Sequence, residues 1–187
     1  MKREEFKLRK LKVNGGVVEV DYVHSYNFQG VTQDIEIHER RIRQPHPDLN
    51  KSLQMLNVYV ARTTHLDALD VVRGFLEKEG KKETKVFVAQ MIKNQSEILD
   101  SIDVRSITIK GENDKVAVVI SSVLSCRGNA TALNTPRIPL SRATYGVEEA
   151  IAESIDEITT EVFAYLFEGK EAQLQMPFDQ QNEDETT

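Results

Sequence analysis

Apolar residues near the start of the chain fall at every second position, and further on at every third or fourth. Phe6, Leu8, Leu11 and Val13 are interleaved with charged residues, with one break in step near Lys10, which predicts a strand carrying an irregularity. Asn14-Gly15-Gly16 supplies a turn, because Asn-Gly favours positive φ at both central positions of a tight hairpin. Val18, Val20 and Tyr22 then resume the alternation, and Ile35 and Ile37 share a face in a third strand over 32–38. The opening reads as a three-stranded meander. Pro45-His46-Pro47-Asp48 ends it and begins a helix, with Pro47 in the first turn where a missing N–H costs nothing. Leu49, Leu53, Leu56 and Val60 form one helical stripe running to about Thr63.

The strand signature returns over 104–109, turns at 110–114 and continues over 115–124. A further extended piece over 131–140 contains Pro136 and Pro139, which confine it to an edge or a loop. Val147, Ile151, Ile155, Ile158, Val162 and Leu166 lie on one stripe of a long final helix, with Glu148 and Glu149 in its first turn and Gly169 placed to stop it. Between the two parts, Leu66, Leu69, Val72 (or Val71), Phe75 and Leu76 have helical spacing up to Gly80, 86–92 fits strand or helix, and 97–100 looks helical. Segments 8–60 and 104–162 share one plan at an offset of about 96–102 residues. Two readings fit: a duplicated βββα unit with 66–100 inserted, or a meander-plus-helix arrangement common among α+β proteins. Either way the expected fold is α+β, an antiparallel sheet of about six strands with packed helices over residues 1–170.

Composition narrows the class. With 187 residues, 40% of them hydrophobic, the chain can build a core without a disulfide or a metal, and its single Cys126 can form no intrachain disulfide. No run approaches the 18 or so uncharged residues of a membrane span, and the charged start fits a cytoplasmic protein. The net charge of −6 argues against gripping duplex DNA by bulk charge. Five of the acids, Glu171, Asp179, Glu183, Asp184 and Glu185, lie in 171–187 without a lysine or arginine, which leaves −1 over 1–170. That tail is expected to be disordered. Basic clusters fall at Lys7, Arg9, Lys10 and Lys12, at Arg40, Arg41 and Arg43, and at Lys78, Lys81, Lys82 and Lys85.

Catalytic chemistry finds little to use. His24, His38, His46 and His65 have no partner at metal-ligand spacing, and one cysteine excludes any Cys-x-x-Cys site. The glycines at 15, 16 and 111 sit in hairpin turns and not ahead of a helix N-terminus, so no phosphate loop is expected. Ser121 to Ser125 lack the small-residue elbow that exposes a nucleophile. The expectation is a protein with no catalytic residues, no metal and no cofactor. Tyr26 and Phe28 upstream of Arg40, Arg41 and Arg43 offer aromatics beside basic residues, the combination that stacks and neutralises single-stranded DNA. Aromatics on strands serve equally well as core.

The most specific short pattern follows the last helix. Gln173-Leu174-Gln175-Met176-Pro177-Phe178 is similar to the peptide by which bacterial polymerases and repair proteins attach to the sliding clamp. Gln173 offers hydrogen bonds, while Leu174, Met176 and Phe178 would fill a preformed apolar pocket. Alternatively Met176 and Phe178 fold back on the domain. Leu133-Asn134-Thr135-Pro136, the long acidic helix, and Glu168-Gly169-Lys170 leading to Gln173 give a layout that resembles small uncharacterised early-region proteins of tailed bacteriophages and prophages. That resemblance implies a setting of DNA replication, recombination or host takeover. The expected function is a non-enzymatic accessory protein that binds single-stranded DNA weakly and tethers to the clamp or another replication protein. The alternative is an interaction or assembly module, such as an inhibitor of a host defence protein, without nucleic-acid binding. No membrane partner is expected, and homo-oligomerisation stays open.

Overall fold

In the computed structural model the described residues are 1–64, 99–112, 115–126, 128–141 and 146–170. A short 3-10 turn at Arg3–Glu5 leads into β1 (Phe6–Asn14), β2 (Val17–Phe28) and β3 (Val31–Arg41). Helices α1 (Pro47–Gln54) and α2 (Asn57–Thr63) follow. Then come β4 (Ile102–Lys110), β5 (Ala117–Cys126), β6 (Asn129–Asn134), the two-residue β7 (Ile138–Pro139) and α3 (Glu148–Phe167). All strands join one antiparallel sheet in the order β3-β2-β1-β4-β5-β6, with β7 also paired to β5. This is the expected α+β architecture. The patterns read over 66–80 and 86–92, and the segment 171–187, lie outside the described residues; of 97–100, Leu99 and Asp100 are described and helical.

One face of the sheet is apolar and carries the helices. Leu11, Val18, Val20, Ile107 and Ile120 on the strands meet Leu49, Leu53, Ile151, Ile158 and Val162 on the helices, each at most 1% exposed. Burying a side chain of this size contributes roughly 1.5–3 kcal/mol, so the stripe spacing of α1 and α3 is what holds them on the sheet. The predicted single helix to Thr63 is interrupted: the Leu56 N–H bonds to Leu53 O at 3.2 Å, a tight i to i−3 step that separates α1 from α2. Leu49, Leu53, Leu56 and Val60 nevertheless stay on one buried face at 0% exposure.

The halves correspond closely at their irregularities. Pairing of β1 with β2 skips Arg9 between Leu8 and Lys10, and pairing of β4 with β5 skips Arg105 between Val104 and Ser106. The break in step near Lys10 is the first of these bulges. Between the halves, β1 and β4 pair through three positions, Lys10 with Thr108, Leu11 with Ile107 and Lys12 with Ser106. Side chains close both ends of this short seam. At one end the Gln54 amide acts as a substitute strand, accepting from Val104 N at 2.9 Å and donating to Val104 O at 3.0 Å. At the other, the Arg9 guanidinium donates to Gly111 O at 3.0 Å and to Glu112 at 2.8 Å.

Candidate functional site

The β2–β3 hairpin outgrows the rest of the sheet. Its strands run to Phe28 and from Val31, beyond the 17–23 and 32–38 read from alternation, because Gln29 and Gly30 close a two-residue turn with φ of 52° and 82°. Asn27 Oδ1 accepts from the Gly30 N–H at 2.9 Å and stabilises that turn. A non-glycine residue at positive φ is uncommon, so Gln29 gave no turn signal in the sequence. The last β1–β2 pair is Phe6 with His24. Beyond it, Ser25–Phe28 and Val31–Asp34 pair with each other alone among the described strands, which makes an arm of about 14 Å at the usual strand rise.

Directly paired residues share a face, so the buried Val18, Val20 and Tyr22 fix the orientation of the whole hairpin. Tyr26, Phe28, Val31 and Ile35 continue that same helix-side face past the end of α3. Phe167, near the end of α3, packs against Phe6 and Tyr22 with ring centroids 6.0 Å apart in each case, and marks where cover stops. Past it the apolar face is open: Phe28 is 54%, Val31 62% and Ile35 46% exposed.

The opposite face is charged, and its residues line up in rows across the strands. One row runs His38, Asp21, Lys10 and Thr108; the next runs Arg40, Glu19, Lys12 and Ser106. Within them His38 Nδ1 bonds the Asp21 carboxylate, Lys10 lies 4.0 Å from Asp21, and Glu19 sits 3.3 Å from Lys12 and 3.7 Å from Arg40 Nε. From the β3 edge inwards each row therefore sets a histidine or an arginine, then a carboxylate, then a lysine. Asp34 and Glu36, on the same face of β3 but nearer the arm, have no ion-pair or hydrogen-bond partner among the described residues. Sequence reasoning passed over these two acids, although the alternate positions 34, 36, 38 and 40 spell acid, acid, base, base.

The residues nominated for single-stranded DNA do not converge. Tyr26 and Phe28 lie on the helix side, with the Tyr26 hydroxyl donating to Gln33 at 2.8 Å. Arg40 lies on the charged face, and its strand level is nine residues, about 30 Å, from the Phe28–Val31 pair. Arg41 caps a helix: its guanidinium donates to Tyr165 O at 3.2 Å and Leu166 O at 2.8 Å, pairs with Glu39 at 2.7 Å and lies 5.6 Å above the Tyr165 ring. A cation at the carbonyl end of α3 is where the helix dipole favours one. The Arg43 carbonyl accepts from the Tyr165 hydroxyl at 3.0 Å. Gln173, Leu174, Met176 and Phe178 lie outside the described residues. What the structure does give is their point of departure, because Lys170 is tied to Glu161 at 2.7 Å and to Asp48 at 2.9 Å. These two hydrogen bonds, Glu161 first, raise the Lys170 ammonium above the ordinary lysine range, and the Lys170 bond holds the Asp48 carboxyl below its ordinary value.

A shallow groove of about 540 Å³ crosses the charged face beside the Arg9 bulge, lined among others by Arg9, Lys10, Asp21, His38, Thr108 and Lys110. It holds one histidine oriented by one carboxylate, and a base of that kind needs a nucleophile within hydrogen-bond reach, which none of its hydrogen bonds supplies. Among the described residues no three His, Cys, Asp or Glu side chains gather as metal ligands, and no described helix is long and apolar enough to cross a membrane. Comparison with known proteins gives no match, whether to family models, to curated proteins or to solved structures.

Proposed function

We propose that the protein is a non-enzymatic interaction module of a DNA replication or recombination setting, of the kind met in tailed phages. It holds one protein partner through hairpin β2–β3 and tethers to the sliding clamp through Gln173, Leu174, Met176 and Phe178. The observation that carries this reading is the apolar face of the hairpin, on which Phe28, Val31 and Ile35 continue the core side of the sheet into solvent. Contiguous apolar surface beside a strand edge that no described strand pairs favours association with protein over association with phosphate. The single-stranded DNA reading has less to stand on, since Arg41 is engaged by α3 and Arg40, Lys10 and Lys12 each face a carboxylate. The clamp half is supported by Lys170, which is tied to Asp48 and Glu161 three positions before Gln173. Blocking a host defence protein is one task such a surface could perform.

Two measurements test the proposal. Surface plasmon resonance on immobilised bacterial sliding clamp is expected to show binding by the full chain and loss of at least tenfold in affinity for Met176→Ala with Phe178→Ala. An unchanged affinity in that double variant, or no binding by the parent, removes the clamp half. Fluorescence anisotropy of a labelled single-stranded oligonucleotide is expected to show no saturable rise at low salt. Salt-sensitive saturable binding would return the function to nucleic acid.

A further inference from the structure

Among the described residues no strand pairs with the outer edge of β3, and that edge carries a charge order that complements itself. From the arm inwards, the charged-face side chains are Asp34, Glu36, His38 and Arg40. Edge strands are commonly blunted by charges, by proline or by a bulge; β3 has neither proline nor a bulge over Val31–Arg41, and its charges on the face away from the helices change sign along the strand. When two copies of such a strand pair antiparallel, the acidic half of each meets the basic half of the other.

We propose that the protein forms a two-fold symmetric dimer by antiparallel pairing of β3 with β3 of a second copy, centred on Ile37, so that the two sheets become one. This rests on the reading of hairpin β2–β3 as a protein-binding surface and names the occupant of its β3 edge. Backbone geometry permits the register. The two-residue turn makes Phe28 and Val31 a hydrogen-bonded pair, so the odd residues of β3 bond to β2 and the even ones turn their N–H and C=O groups to the open edge. Ile37 then faces Ile37 of the second copy as a non-hydrogen-bonded pair, with Glu36 and His38 making the ladder on either side.

The charged face of the joint sheet is satisfied by this register. On the charged face Asp34 meets Arg40 and Glu36 meets His38, each twice. The rows described above, which end on Arg40 and His38 at the β3 edge, are continued by the two unpartnered acids: Lys12, Glu19 and Arg40 by Asp34 of the second copy, and Lys10, Asp21 and His38 by its Glu36. On the helix side Ile37 faces Ile37, while Ile35, 46% exposed, lies directly opposite Glu39 of the second copy and diagonal to its Ile37. Of the neighbouring registers, centring on Ile35 sets Asp34 against Glu36 and centring on Glu36 sets Glu36 against itself, while centring on His38 keeps Glu36 opposite Arg40 but leaves Asp34 opposite Ile42 and Ile37 opposite Glu39. An isologous contact of this kind closes on itself and leaves β6 as the outer edge of both copies.

Sedimentation equilibrium over a concentration series is expected to give the full chain twice its 21.3 kDa mass at the upper concentrations. Asp34→Lys with Glu36→Lys, which alters exposed and unpartnered side chains, is expected to weaken the dimer at least tenfold while circular dichroism stays that of the parent. Register is read with single cysteines in a Cys126→Ser background. Ile37→Cys is expected to give an oxidised covalent dimer, because non-hydrogen-bonded partners approach to disulfide range, and Ile35→Cys and Glu39→Cys are not. A chain that stays monomeric throughout, a dimer indifferent to the lysine pair, or cross-linking at 35 or 39 in preference to 37 would falsify the proposal. A monomer that still bound the clamp would do so without touching the tail half of the function.

Discussion

Leu11→Ala is expected to lower stability by about 2–5 kcal/mol, the range for truncating a fully buried leucine in a core that cannot collapse around the gap. Leu11 is 0% exposed and stands in the middle of the three-pair seam, directly opposite Ile107, which is equally buried. Nothing else in the β1–β4 ladder compensates for it, because the flanking pairs are the charged-face Lys10–Thr108 and Lys12–Ser106. Urea unfolding should show the midpoint falling with an unchanged denaturant slope, the mark of lost stability without a change in what unfolds. A cost below about 1 kcal/mol would mean that the halves are held together chiefly by the helices and not by the seam.

Gly111→Ala is expected to be the second severe change, although the residue lies in an exposed turn. Gly111 has φ of +84°, and a Cβ built on it would stand 2.3 Å from Lys115 O and 2.9 Å from Lys115 C, both backbone atoms. The turn must therefore shift, and with it the Gly111 carbonyl that accepts from Arg9 at 3.0 Å. Positive φ costs an alanine roughly 1 kcal/mol by itself, and displaced backbone adds to that, so a loss of about 2–4 kcal/mol is expected. Gly15→Ala is the internal comparison. Its φ of +59° is similar, but nothing lies within 4 Å of the added methyl, so it should lose only the conformational part, about 1 kcal/mol. Equal midpoints for the two variants in thermal unfolding would show that close approach at Gly111 has no energetic weight.

Much of the fold was legible because local pattern and burial agree. Ile151, Ile155, Ile158 and Val162 announce a helix face, Asn14-Gly15 announces a hairpin, and the misstep near Lys10 announces a bulge. The arm was not legible, since its turn uses Gln29 at positive φ and its strands carry Phe28 and Val31 where alternation toward a core has no core to find. Arginines misled for a different reason. Nothing in the neighbourhood of Arg41 says that the carbonyls it serves belong to Tyr165 and Leu166, more than 120 positions away. Gln54 is similar: an ordinary helix residue in sequence, it acts as a missing strand for Val104. The charges of the edge could be seen from the start, but their meaning needed the knowledge that β3 is an edge and which face its even positions occupy.

The shortness of the seam also bears on how the molecule assembles. Within β1-β2-β3 and within β4-β5-β6 every ladder links strands that follow one another along the chain, whereas β1 and β4 meet across roughly a hundred residues. Closing so long a loop for three backbone pairs gives little return on the entropy lost, and the return comes only when α1, α3 and Leu11 seal together. Topology thus places the largest loop-closure cost of the described sheet on the docking of the two meanders.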